Sequence, residues 1–297
     1  MMRISSKIMS ALAFALMVSC SGVIDPDGTG AGDGSGSDQQ KPGAVVSSGY
    51  RQQMVALQFT SVGCVNCPVL STAIKNIQTN MPGTIIPMAF HLDYQISDPM
   101  TIASLNKKFY EMVDFTGETS IGLPMFALNF RKGSRHISSE YARIQSEIED
   151  QAVKYPALCA VAVSTSYDNA SNAIAVTARF KSDVAAAYRY HIFLLEDGIE
   201  YMQYGDETGT YVHNNVVRSM YGDNIKGSNL NSGKTLEVGK EYVVEKNLTV
   251  AQNWKPENLR VVVAMLKKDD GGDWASYNAN VCALGESVDY LYDEKDE

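Results

Sequence analysis

Cys64-Val65-Asn66-Cys67 is the feature of this 297-residue chain whose spacing speaks most directly of chemistry. Two thiols three positions apart can exchange electrons with a disulfide. One thiolate attacks, and its neighbour resolves the mixed disulfide. The attacking sulfur needs a lowered pKa, which the free N–H groups and dipole of a helix N-terminus supply. On this reading Cys64, at the helix start, attacks and Cys67, one turn along, resolves. Pro124 is the third member of the set. It has no N–H, so it would leave neighbouring backbone groups free to pair with an extended substrate. The same cysteines would equally serve as a static disulfide. Zinc is disfavoured, because one Cys pair without a second Cys or His pair is a poor tetrahedral set. No metal and no cofactor is expected.

The surrounding residues predict the elements that hold these groups. Val55–Thr60 is an apolar run suited to a buried strand, and Leu70, Ile74 and Ile77 recur at helical spacing after Pro68. Thr84–Leu92 reads as a second strand, and Gly122–Phe130 as a third opened by Pro124. A helix capped by Ser138 or Ser139 runs through Glu147 and Val153 to Pro156. Strand, Cys-x-x-Cys turn, helix and a later proline-led strand resemble the thioredoxin superfamily over about 110 residues, 45–155. The resemblance implies a cis Pro124 facing the cysteines. The chain departs from active members at Gly63, where many carry Trp, and at Gln58, where thioredoxin has a buried acid.

From 157 to 285 the pattern changes to short strands: 159–165, 173–180, 190–195, 242–245, 259–266 and 279–284, separated by Asp-Asn, Asp-Gly and Gly-Gly turns. The expected fold is therefore two domains. An α/β thioredoxin-like unit is followed by an all-β antiparallel sandwich of immunoglobulin or jelly-roll type. Residues 211–218 read as a long connection whose His213 and Arg218 are candidates for a binding loop, although a packed histidine is the plainer reading of His213. Tyr201, Tyr204 and Tyr211 could add a binding surface. Cys159 and Cys282 fall in the first and last sandwich strands, and either bond to each other or remain buried thiols.

The N-terminus assigns the compartment. Arg3 and Lys7 precede the apolar run Ile8–Val18, too short to span a bilayer. Residues 1–19 thus read as a signal peptide. Met17-Val18-Ser19-Cys20 resembles a bacterial lipobox, with Cys20 as the lipidated first residue; the alternative is a plain signal with an incidental cysteine. Asp25–Gly43 holds six Gly and four Asp and no aromatic residue, which makes residues 20–44 a flexible spacer. The last stretch, 286–297, has six acids and one Lys and is expected to be a mobile tail. A net charge of −9 argues against nucleic acid as a partner.

The lipobox, the Cys-x-x-Cys and proline unit, Tyr211–Arg218 and Asn253–Leu259 together resemble the Bacteroidetes lipoprotein family called outer membrane protein 28-related. That resemblance implies an outer-membrane lipoprotein of the cell envelope, on either its periplasmic or its exposed face, that pairs a thioredoxin-like domain with a β-sandwich. The expected role is binding, adhesion or envelope assembly, with envelope proteins or peptides as clients. The alternative is a thiol–disulfide oxidoreductase working through Cys64 and Cys67.

Overall fold

The computed structural model describes residues 48–106, 111, 122–131, 141–223 and 225–293. The leader, Cys20, the spacer, the helix cap at Ser138 or Ser139 and residues 294–297 lie outside the described residues. In chain order the first elements are β1 (Met54–Thr60), α1 (Cys67–Asn80), β2 (Ile85–His91), β3 (Met125–Leu128) and α2 (Tyr141–Lys154). The next strands are β4 (Cys159–Asp168), β5 (Ala173–Ser182), β6 (Tyr188–Glu196), β7 (Ile199–Tyr201) and β8 (Tyr211–His213). They are followed by β9 (Val216–Met220), β10 (Ser228–Asn229), β11 (Tyr242–Thr249), β12 (Leu259–Lys268), β13 (Trp274–Ala283) and β14 (Ser287–Val288).

Every residue of β1 is buried because both of its faces are covered. Met54 and Ala56 pack with Leu70, Ile74 and Ile77 of α1 and with Ile144 and Ile148 of α2. Val55, Leu57 and Phe59 point the other way, into a core shared with Phe193, Leu195, Val217, Val262 and Ala264. A strand covered on both sides reads as a continuous apolar run, as this one does. β2 runs parallel to β1, with Met54 opposite Ile85 and Thr60 opposite His91. β3 runs antiparallel on the other side, with Phe59 opposite Met125.

Each half of the sequence has an apolar cluster of its own, and a third cluster is shared between them. The described residues fall in one compact unit, which departs from the expectation of two domains meeting near residue 156. The reason is β9. It pairs antiparallel with β6, Phe193 opposite Met220, and parallel with β2, Ala89 opposite Val216. One sheet in the order β13-β12-β6-β9-β2-β1-β3, with β10 also beside β6, therefore crosses both halves. The sheet curls until its ends approach, where the Ser276 N–H donates to the Asn129 carbonyl at 2.9 Å. A second sheet, β11-β5-β4-β14, packs on Ile192, Leu194, Val261 and Val263 of β6 and β12. The molecule is thus β-rich with several sheets.

The tail also differs from expectation. Val288 lies in β14, Tyr290 is buried, and Tyr50 and Tyr292 form a bridge with ring centroids 5.4 Å apart. The Arg51 N–H donates to the Leu291 carbonyl and the Asp293 N–H to the Gly49 carbonyl, so the chain is clasped through Asp293. Apolar residues at 288 and 290–292 outweigh the acids at 286, 289 and 293. Because one sheet joins both halves, thermal unfolding is expected as a single transition. Phe193→Ala should destabilise that whole transition by about 3–5 kcal/mol. Calorimetry that resolves two melts, only one of them moved by this substitution, would contradict a shared core.

Candidate functional site

β1 delivers the chain to Ser61, and the turn that follows places Cys64 and Cys67 at the start of α1. Pro68 occupies the first helical turn, where its missing N–H costs nothing. Cys64 and Cys67 are joined as a disulfide. The Leu123–Pro124 peptide is cis. Extending the β1–β3 register by one residue sets Pro124 beside Thr60, at the end of the sheet from which the cysteine turn departs.

The disulfide is covered: Cys64 is 3% exposed and Cys67 1%. The cover comes from the connection between β7 and β8, about 140 residues further along the chain. There the Gln203 amide nitrogen donates to the carbonyls of Cys64 at 2.9 Å and Ser61 at 3.1 Å, with that of Val62 at 3.3 Å. The Tyr204 N–H donates to the Val62 carbonyl at 2.8 Å. Gly205, at φ +85°, lies so close that a Cβ there would fall 2.1 Å from the Val65 carbonyl oxygen. Only glycine combines that conformation with that approach.

Two further contacts shape the turn. A Cβ on Gly63 would lie 2.5 Å from the carbonyl oxygen of Tyr94, so the loop after β2 occupies the space where Trp was compared in sequence. Gln58 donates to Ser71 Oγ at 2.7 Å, and Ser71 Oγ donates to the Cys67 carbonyl at 3.2 Å. Gln58 is therefore a neutral brace at the root of the helix.

Beneath the turn lies a group that the sequence reading did not single out. Asp98 is buried and accepts the Val62 N–H at 2.9 Å and the Met100 N–H at 2.9 Å, while His91 Nδ1 is 2.8 Å from its Oδ2. Burial raises the Asp98 pKa, but the hydrogen bond from His91, its charge and the two backbone N–H groups together hold it below the usual carboxylate range. His213 meets His91 edge to face at 5.2 Å and Tyr211 at 4.8 Å. Burial, reinforced by His91, pushes His213 down to about 4. In sequence the histidines are 122 positions apart and no local motif joins them.

The long connection expected at 211–218 holds β8 and β9, and His213 and Arg218 are buried strand residues. Arg218 Nε lies 2.9 Å from Glu196 Oε2, and the Lys255 N–H donates to the other Glu196 oxygen at 3.0 Å. Removing either member of such a pair strands a buried charge, which fixes β9 against β6. At the turn between β8 and β9, Arg260 grips Asp197 at 2.6 and 2.9 Å and reaches Asn215 Oδ1 at 2.9 Å. These contacts position the hairpin that carries Gln203. Cys159 and Cys282 are separate buried thiols, which decides between the two states left open by sequence. Asn278 Nδ2 bonds to the Cys159 carbonyl, placing Cys159 four residues, roughly 13 Å, from Cys282 along β13. A disulfide needs Cα atoms within about 7 Å. Burial pushes the Cys159 thiol up to about 12.

A polar cleft of about 780 Å³ opens between α1 and the β8–β9 turn, with Gln58, Ser71, Lys75, His91, Gln203 and His213 in its wall. Neither cysteine lines it. Among the described residues no group of three His, Cys, Asp or Glu side chains is placed to hold a metal ion.

Two outcomes follow from this arrangement. Gln203→Leu strips the donor from buried carbonyls and should cost about 1–3 kcal/mol in urea unfolding, while speeding reduction of Cys64–Cys67 by dithiothreitol. An unchanged reduction rate would show that the amide does not guard the disulfide. His213 has a folded pKa below its ordinary 6.5, so neutral imidazole is favoured in the folded protein. Its contribution is complete above pH 6.5 and is lost as pH falls toward 4, with a slope approaching about 1.4 kcal/mol per pH unit. His213→Phe should flatten the stability profile relative to wild type across that window, as read from urea midpoints.

No curated protein matches this sequence. Among solved structures, HBP35 of Porphyromonas gingivalis superposes with a TM-score of 0.66 at 17% identity, over 79% of this chain and 76% of that one. Protein AGR_C_4864 of Agrobacterium tumefaciens superposes at 0.54 with 15% identity, over 81% of this chain and 97% of its own. At such identities the likeness concerns the fold alone. The model of the family described as outer membrane protein Omp28 matches residues 111–287, more than half the chain, and the protein belongs to that family.

Proposed function

We propose that this protein is a lipid-anchored binding or assembly component of the outer membrane, built on a thioredoxin-like Cys-x-x-Cys unit whose disulfide acts as a structural staple. Cys20 carries the lipid, and residues 20–44 hold the folded body away from the bilayer. The thioredoxin-like reading is supported by β1, the cysteine turn, α1, the parallel β2 and the cis proline heading β3. Membership of an outer-membrane protein family supports the location.

The burial of both sulfurs beneath Gln203 and Gly205 carries the non-enzymatic role. Disulfide exchange requires in-line approach of a thiolate to sulfur, and that approach is closed unless the hairpin lifts. The disulfide instead locks the turn on which the hairpin rests, joining the two halves of the sequence at one face. The deciding experiment is dithiothreitol-dependent reduction of insulin. No turnover above background is expected, and Cys64→Ser should leave that background unchanged. Turnover abolished by Cys64→Ser would establish an oxidoreductase and overturn the proposal.

A further inference from the structure

Three segments meet at the disulfide turn: 61–69, 93–98 and 199–212. Tyr204 bonds to Val62, Gly205 abuts Val65, and Gly63 abuts Tyr94. Eleven large apolar side chains stand exposed among the described residues, and seven of them are on these segments: Val65, Val69, Tyr94, Tyr201, Met202, Tyr204 and Val212. Val65 is 59% exposed although it sits between two buried cysteines. The turn therefore hides its sulfurs and displays its apolar side chains. A concentrated apolar patch on an otherwise charged surface marks an interaction site, and aromatic residues and Met are the side chains enriched at such sites.

The charge around the patch names the occupant. The three segments contain Asp93, Asp98, Glu200, Asp206 and Glu207 and not one Lys or Arg. Asp98 is buried against His91, which leaves Asp93, Glu200, Asp206 and Glu207 as an acidic rim. Among the described residues, the cations that share a cleft wall with these segments are Arg218, Lys255, Lys75 and Arg260, the last bound to Asp197. Arg218 is paired with Glu196, Lys255 lies across a hollow from Glu200, and Lys75 is six residues beyond Val69 on α1. An anionic bilayer would be repelled by this rim, and a second copy of a chain of net charge −9 would bring like charge to it.

We infer that the face formed by the Cys64–Cys67 turn, the 93–98 loop and the β7–β8 hairpin is a docking surface for a cationic polypeptide segment that alternates Lys or Arg with apolar or aromatic side chains. The apolar side chains seat on Val65, Tyr94, Met202 and Tyr204. The cations pair with the rim, chiefly raising the rate and selectivity of encounter. No sulfur chemistry takes part. This inference rests on the binding role proposed above and names its site and the class of its partner.

The test is fluorescence anisotropy with the full chain in neutral detergent and a labelled ten-residue peptide that alternates Lys with Tyr and Val. A second peptide replaces every Lys with Glu. Binding of the Lys peptide should weaken by about tenfold in Val65→Ser/Tyr204→Ser and by about threefold in Glu200→Gln/Glu207→Gln. The four substituted side chains are at the surface, and an unchanged Tm confirms that each variant is folded. The Glu peptide should not bind. Equal affinity for both peptides, wild-type affinity in Val65→Ser/Tyr204→Ser, or no binding of the Lys peptide overturns the docking surface. So does a Tyr204-dependent association with phosphatidylglycerol vesicles or with a second copy. The insulin assay separates this inference from its premise. A silent insulin assay with no peptide binding removes this surface and leaves the non-enzymatic role. Insulin turnover with Tyr204-dependent peptide binding removes that role and leaves the surface.

Discussion

Strand β9 has backbone partners on both sides, β6 in one direction and β2 in the other. The remaining architecture depends on that double pairing. It places a strand from the C-terminal half beside one from the N-terminal half, and it forces the preceding residues, 197–215, to lie over the end of β1. The hairpin β7–β8 reaches the cysteine turn as a consequence. Val216 and Val217 are both fully buried, one beside Val62 and Met100 and the other in the core beneath the sheet. Five residues thus secure a contact between parts of the chain more than 100 positions apart. The Glu196–Arg218 pair holds the middle of the same strand, and the Arg260–Asp197–Asn215 cluster holds its start.

That placement changes the meaning of the Cys-x-x-Cys motif. On a bare helix N-terminus the pair would be an exchange site. Here the Gln203 amide and the bare Cα of Gly205 close over it, and Tyr94 closes over Gly63 from the other side. A tryptophan at position 63 has no room, and position 58 serves as a hydrogen-bonding brace with no proton to move. The two departures noted in sequence have separate local causes: Tyr94 fills the space beside Gly63, and Gln58 bonds to Ser71 of α1. The same closure brings His91, His213 and Asp98 together, and makes the integrity of the turn sensitive to acid.

Much of the fold was legible in residue order. β1, α1, β2 and β3, and the six strands read between 159 and 284, follow from apolar periodicity and turn chemistry, which act over a few residues. The hidden elements are those whose local signal is weak. β7, β8 and β10 are two or three residues long, and β9 follows Asn214-Asn215, with Asn215 at φ +60°. Tyr290 was masked by the acids of the tail around it, Asp289 and Asp293 among them. Gln203 and Asp98 resemble ordinary surface polar residues until their partners are known.

Residue order by itself determined the local alphabet: a buried strand entering a cysteine turn, a helix started by Pro68, a proline-led strand and a run of alternating strands. It also determined the acidic charge and the apolar leader, because these depend only on which residues are neighbours. Tertiary structure alone decided whether the two sulfurs face solvent, whether Cys159 can reach Cys282, and whether His213 is a loop ligand or a core residue. Each of those depends on the distance between groups separated by about 120 to 140 positions. Such distances are set by the pairing of strands across the whole sheet, and no window of sequence contains them.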